Sequence, residues 1–429
     1  MEKLDRLADP LIKTLAARLI MKSRSLKNSM GSEGGVSSRI RNNIVMEAQL
    51  KKRVLTSSVD ISKLSIRELR EKTLWFTEQM HFQSRPYGQY RYSPSGQSPL
   101  LYASVYACLL RDLYNDMSQL SFSEKQDWIC YITNHQHEDG LFKDAAIANQ
   151  LAETADWWGW RHLTLHTVMA LDALGTVASK KLSFLKQFKN RSVIVKWLNN
   201  RDWNGNVANV SNEIQNYCAL IQYARDYHDE SWAEDALNIF YDELDRLQDA
   251  NTGSWGKKIG NSNLLSITVQ AGYHIWLLYF YDKKQINFAD KIIDCCLSTQ
   301  NKLGGFGPFL NSSACEDIDS IDPLVRLYGL TSHRRSEVKN ACESAIAWIL
   351  ANMNRDGGFV FRRNEPFMYG HENMFSGINE SSMFATWFRS LSLAYISKVL
   401  PNLQVVAFPW KFLSCPGYQF WFESPIRVN

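Results

Sequence analysis

A chain of 429 residues with 12% aromatic side chains is long enough for one large core or two to three small ones. No apolar run reaches the roughly 18 residues that a membrane-spanning helix needs. The net charge of +4 is uneven, with twelve Lys/Arg against five Asp/Glu in residues 1–55 and a slightly acidic remainder, which argues against nucleic acid as a partner. The eight cysteines are scattered without a CxxC pair, and no compact apolar leader opens the chain, so a cytoplasmic protein with reduced thiols is expected.

Residues 1–30 place Leu4, Leu7, Leu11, Ile12, Leu15, Leu19 and Ile20 on one helical face. An amphipathic basic helix is predicted there. It either docks on the main domain or makes peripheral membrane contact through residues 4–22. Residues 31–64, opened by the stretch SLKNSMGSEGGVSSR of residues 25–39, read as a flexible linker by composition. Residues 65–400 form the main domain, and residues 401–429 an extension packing on it.

The main domain repeats. Gly-containing turns end on a large apolar residue at Tyr90, Phe142, Trp255, Phe306 and Phe359, with NGN at 204–206 as a weaker sixth member. Their spacing is near 50 residues, the signature of a repeat architecture. A helical stretch precedes each turn, for example KQDWICYITNHQ, and a more apolar one follows, for example SMFATWFRSLSLAYI. Sustained alternation is missing, so the fold class is all-α. Six helix pairs with the apolar member inside predict an (α/α)6 barrel, with an open solenoid as the rival.

The stretch ACEDIDSIDPL, residues 314–324, crowds Glu316, Asp317, Asp319 and Asp322 together. Asp322 followed by Pro323 reads as a helix cap with proline in the first turn. The other acids would then hang from a loop at the barrel mouth. Clustered carboxylates repel one another's charge, so one can keep its proton at neutral pH.

The turns Gln248…GlySerTrpGly and Gln300…GlyGlyPheGly resemble the repeats of squalene–hopene cyclases, other class II terpenoid cyclases and protein prenyltransferase β subunits. Asp317-Ile318-Asp319-Ser320 is similar to the DxDD motif of class II cyclases, read here as DxDS. The resemblance implies that Asp319 is the proton donor to an alkene or epoxide, with Asp317 beside it. Ser320 stands where the family has its last Asp, and Asp322 is the candidate replacement. The prenyltransferase branch implies a zinc site, but Ser381–Met383, where its His would align, has none.

Carbocations are stabilised by aromatic faces. Trp157, Trp158, Trp160, Trp255, Phe306 and Trp387 are the candidate substrate-lining aromatics, joined by Phe309 and Phe375. His162 and His166, four apart, share a helical face and are candidate substrate contacts. With His135, His137, Glu138 and Asp139 they match no strong zinc signature, so no metal and no cofactor is assigned. His371 and Glu372 are expected at the mouth, with Glu380 as a helix cap. These features point to proton-initiated cyclisation of an isoprenoid, a small-molecule substrate. The alternatives are a carbohydrate-active barrel (hydrolase, lyase or epimerase) and a non-catalytic scaffold.

Overall fold

The structure, a computed structural model, describes residues 34–61, 64–84, 86–256 and 262–422. The predicted basic helix of residues 1–30 lies outside them. The described chain is all-α apart from one small hairpin. Its helices are α1 (Gly34–Ile61), α2 (Ile66–Gln79), α3 (Leu101–Leu113), α4 (Phe122–Thr133), α5 (Gln150–Thr154), α6 (Trp160–Ala173) and α7 (Arg191–Asn199). There follow α8 (Val207–His228), α9 (Trp232–Leu247), α10 (Ser262–Tyr281), α11 (Ala289–Ser298), α12 (Ala314–Tyr328), α13 (Arg335–Ala351) and α14 (Met383–Ile396). Strands β1 (Phe367–Met368) and β2 (Phe375–Ser376) pair antiparallel, with Met368 opposite Phe375. None of the described helices is long and apolar enough to cross a membrane. All eight cysteines are free thiols.

The segment expected as a linker instead holds α1, which packs along α13. Glycine and serine dominate only its first turns. Further on, Met46, Leu50 and Val54 recur every four residues and bury one stripe against Leu303 and Trp348. Lys302 closes the contact with an ion pair to Glu47 at 2.5 Å.

Helix packing follows the chain. α3 packs on α6, α6 on α8, α8 on α10, α10 on α12, α12 on α14, and α14 returns to α3. These six helices thus contact one another in cyclic order. Every residue of α3 and of α14 is buried, as expected of helices covered on all sides. The other helices α2, α4, α9 and α13 each pack on a helix of this set.

The glycine turns are one device used five times. An antiparallel bridge closes each: His81 with Tyr90, Gln136 with Phe142, Asp249 with Ser254, Gln300 with Phe306, and Met353 with Phe359. The weak sixth turn at 204–206 lacks the bridge. A glutamine locks three of them. Gln136 Nε2 donates to Gly140 O at 3.2 Å and to Lys180 O at 2.9 Å, Gln300 Nε2 to Gly304 O and Ala341 O, both at 2.9 Å, and Gln248 Nε2 to Gly253 O at 2.8 Å. Each glutamine thereby pairs a glycine carbonyl of its own turn, and Gln136 and Gln300 also tie the turn to a neighbouring segment.

Residues 417–420 do more than pack on the domain, because they reach all six cyclically packed helices. Gln419 Nε2 donates to Leu109 O of α3 at 3.2 Å, and Gly417 lies against Met169 of α6. Tyr418 Oη donates to Asn212 of α8 at 3.4 Å, and its ring lies 6.2 Å from that of Tyr273 on α10. Arg326 of α12 donates to Phe420 O at 2.9 Å, and Trp387 of α14 donates to Gln419 Oε1 at 2.8 Å. Four consecutive residues can touch six helices only from a point between them.

Gly304 has φ +93°, and an added Cβ would meet the Ser344 carbonyl of α13. Gly175 also has a positive φ, at +77°, but open space around it. Gly304→Ala is therefore expected to lower unfolding free energy by about 2 kcal/mol or more, and Gly175→Ala by clearly less. Urea midpoints at unchanged m-value check the difference.

Candidate active site

The acidic stretch lies inside a helix, not in a loop above one. α12 starts at Ala314, with Ser313 as its N-cap and Glu316 completing a capping box. Asp322 and Pro323 are therefore not its start but its third turn. Proline lacks an N–H, so the Asp319 carbonyl loses its helical donor at residue 323. Glu316 is a cap and an ion-pair partner, 2.9 Å from Arg362.

Asp317 is a structural knot. Its carboxylate accepts from Phe306 N at 2.8 Å, Ser312 Oγ at 2.7 Å, Trp348 Nε1 at 2.9 Å and Arg389 Nη1 at 2.7 Å. A protonated carboxyl would need an acceptor for its own proton, so four donors describe a carboxylate. Burial pushes this group up, and Arg389 with the other donors pulls against the rise. The same slot is a threonine in two other repeats, where Thr164 accepts from Phe142 N at 2.9 Å and Thr386 from Phe359 N at 3.0 Å. Trp128 donates to Ser104 just as Trp348 does to Asp317.

Asp322 is paired with Arg326 one turn on. Arg326 also donates to Tyr395 Oη at 3.0 Å and lies over the Phe420 ring at 4.2 Å. Burial raises Asp322 to about 6 against the pull of Arg326, which leaves it ionised at neutral pH. Ser320 faces α11, its Oγ 3.3 Å from Thr299 Oγ1. Neither residue is placed as a third free acid.

Asp319 differs from its neighbours. It is 3% exposed, and no described residue gives its carboxyl a hydrogen bond or an ion pair. Its acidity is pushed well below that of an ordinary Asp, first by burial and then by the charges of Glu316, Asp317 and Asp322. Crowding contributes, but dehydration leads.

The surroundings are aromatic. Tyr418 and Tyr273 lie within the electrostatic reach of Asp319. Tyr106 stacks on Trp387 at 5.4 Å, and His166 stacks on Tyr418 at 5.0 Å. Phe384 lies 5.4 Å from Tyr106 and 4.8 Å from Tyr369. The β1–β2 hairpin covers the helix N-termini. Tyr369 Oη is 3.1 Å from His162 Nε2, and Tyr102 Oη is 2.8 Å from His162 Nδ1. Gly370 sits on the Trp158 ring, and Asn149 Nδ2 donates to Gly370 O at 3.2 Å.

Polar groups left alone mark the same region. Tyr106 Oη on α3, His166 Nε2 on α6, both amide atoms of Gln215 on α8 and Tyr273 Oη on α10 have no hydrogen-bond partner among the described residues. Buried polar groups are nearly always paired. With Asp319 on α12, five of the six cyclic helices carry an unpartnered polar side chain.

Trp158, Trp387, His162 and His166 thus come together, and Trp160 is buried at the start of α6. Trp157 is half-buried. Trp255 and Phe306 belong to the glycine turns: Trp255 Nε1 donates to Leu244 O, and Phe306 docks on Asp317. His371 and Glu372 lie at the tip of the hairpin, where His371 Nδ1 accepts from Asn373 N. Glu380 holds Ser95 and Gly377 N–H groups in the loop before α14. His135 pairs with Tyr131 O and Glu138 with Lys180. Among the described residues no three His, Cys, Asp or Glu side chains are grouped to hold a metal. Two surface concavities, of about 1100 Å³ beside α1 and about 690 Å³ along α7, lie away from Asp319.

Arg389, Arg326 and Tyr418 are missing from the sequence reading. A lone arginine in the apolar run SMFATWFRSLSLAYI was the available signal, because a charge buried among apolar residues calls for a counter-charge or a full set of acceptors. Tyr418 carried no such signal. No protein-family model matches the chain, and no curated protein matches it in sequence.

Burial lowers His166 from 6.5 to about 4. Between those values the unfolded chain binds a proton that the folded one refuses, so this group removes stability as pH falls from 6.5 to 4. A His166→Gln variant lacks that loss. The stability of wild type relative to the variant should drop across this window by about 3 kcal/mol, read from urea midpoints of both proteins at each pH.

Proposed function

We propose that the six cyclically packed helices are the inner ring of an (α/α)6 barrel, and that its centre is a class II terpenoid cyclase-like site. The return of α14 onto α3 supports the closed ring over an open solenoid, and residues 417–420 supply its floor. The observation that carries the function is Asp319, the one acid of its cluster that is buried and unpaired, within electrostatic reach of Tyr273 and Tyr418.

Protonating an alkene needs a carboxylic acid that still holds its proton in a dry site. Asp319 meets that need by burial. Its proton forms a C–H bond with one alkene carbon, and the other carbon becomes a cation. The next double bond of the chain attacks that cation and closes a ring. The faces of Tyr106, Phe384, Trp387 and Tyr418 stabilise the positive charge as it moves. Loss of one proton ends the sequence, so the product is an isomer of the substrate. Asp317 and Asp322 do not share the proton. Held ionised by Arg389 and Arg326, they set the field that keeps Asp319 neutral and the helix that aims it.

A linear isoprenoid is the proposed substrate, in keeping with the aromatic rings that α3 and α14 bury. The substrate reaches Asp319 only once a covering element moves, and the β1–β2 hairpin is the smallest of these. The carbohydrate reading has less support, because glycoside hydrolysis uses two working carboxyl groups and two of the three buried acids here are engaged by arginine. The expected setting is the cytoplasm, at a membrane surface that dissolves the hydrocarbon.

Incubation with linear prenyl chains of several lengths in D₂O tests the reading. The expected product carries one added deuterium and is otherwise isomeric with its substrate. Asp319→Asn should lower turnover by about 10³-fold and leave the thermal midpoint unchanged or raised, since it removes an unpaired buried acid. Asp317→Asn should instead destabilise the fold by about 3 kcal/mol, by breaking a buried pair. Inactivity of wild type on every chain length, or full activity of Asp319→Asn, would reject the cyclase.

A further inference from the structure

We propose that the groove between α1 and the C-terminal end of α13 is a binding site for a small condensed-phosphate anion. The concavity has a volume of about 1100 Å³, and its charged lining is Lys52, Arg53, Lys72, Arg355, Arg363 and Glu68. Five cations face one carboxylate, so this groove alone carries a charge equal to the +4 of the whole chain.

Few of these charges are neutralised. Lys72 pairs with Glu68 at 2.7 Å. Arg53 and Arg363 have no carboxylate partner. Both are anchored on the last carbonyls of α13, Arg53 Nε to Ala351 O at 2.9 Å and Arg363 Nη2 to the same oxygen at 3.2 Å. A shared acceptor therefore holds two like charges side by side. Arg363 Nη1 donates to Asn354 Oδ1 at 2.7 Å. Its Nε is buried without a partner, in a residue only 3% exposed. Burial and the nearby Arg53 and Arg389 push its guanidinium down to about 9. Lys52 and Arg355 make no side-chain hydrogen bond or ion pair among the described residues.

An anion relieves such an arrangement. The planar fork of a guanidinium fits tetrahedral oxyanions through two parallel hydrogen bonds. Four cations without a carboxylate partner around one groove suit a chain of two or three phosphoryl groups better than a single one. The chain's own residues 1–33 carry seven Lys/Arg against four Asp/Glu, so they do not complement the groove in charge. The proposal stands apart from the chemistry assigned to Asp319.

Titration calorimetry on the full chain, with inorganic pyrophosphate and tripolyphosphate at constant ionic strength, tests it. Saturable one-to-one binding is expected, weakened at least tenfold in the double variant Lys52→Glu/Arg355→Glu. Both positions are exposed, so an unchanged thermal midpoint should accompany the loss. Geranylgeranyl diphosphate distinguishes the source of the group: tighter binding than pyrophosphate assigns the site to a lipid-borne diphosphate, equal binding to the free anion. No saturable heat at millimolar pyrophosphate, equal binding by the double variant, or the same heat from sulfate would overturn the proposal.

Discussion

The carboxylate of Asp317 is the fixed point of this structure. Four donors from four different segments end on its two oxygens: the glycine turn, the loop before α12, the neighbouring helix α13, and α14 across the next repeat. Elsewhere a threonine joins the turn to its inner helix with a single neutral bond. Here the same slot holds a charge, and a charge in a dry interior demands its counter-charge and its full set of donors. Arg389 is consequently buried on α14, with its remaining donors on Val360 and Phe361 carbonyls. That arrangement fixes the rotation of α12, and the rotation decides that Asp319, two residues on, is left without a partner.

An acid cluster read from composition is a set of equals, but this one is divided by its arginines. Asp317 and Asp322 each have a guanidinium, and Glu316 has the helix N-terminus and Arg362. Only Asp319 has none. Burial supplies most of the push on it, so its acidity depends on how well water is kept out. The hairpin over the helix N-termini and the segment 417–420 between the helices then bear on the chemistry as directly as the acid's own neighbours do.

Much of the scaffold was legible. The period near 50 residues follows from the glycine turns, whose positive φ angles and closing bridges leave little freedom in the residues used. α3, α6, α10 and α14 stand out by apolar composition, whereas α8 and α12 are no more apolar than the helices packed around them and are set apart by their contacts. Trp158, Trp387, His162 and His166 were recognisable as aromatic and imidazole groups near helix starts. What misled was local. Asp-Pro is a common helix opening, yet Ser313 and Glu316 form a complete capping box nine residues before Asp322, and α12 runs through the proline. Glycine and serine before residue 40 hid the four-residue spacing of Met46, Leu50 and Val54, which makes α1 a helix. The roles of Trp255 and Phe306 in their turns, and of Tyr418 between the helices, depend on contacts far apart in sequence, which no local pattern encodes.

The segment 417–420 imposes an order of events on biosynthesis. Synthesis delivers α3, α6, α8, α10, α12 and α14 before the residues that sit among them. A nascent chain carrying all six helices still lacks Tyr418, Gln419 and Phe420, and the carbonyls, rings and guanidinium they satisfy face an unfilled space. Final consolidation of the interior therefore waits until residues 417–420 have left the ribosome, after all six helices that they contact.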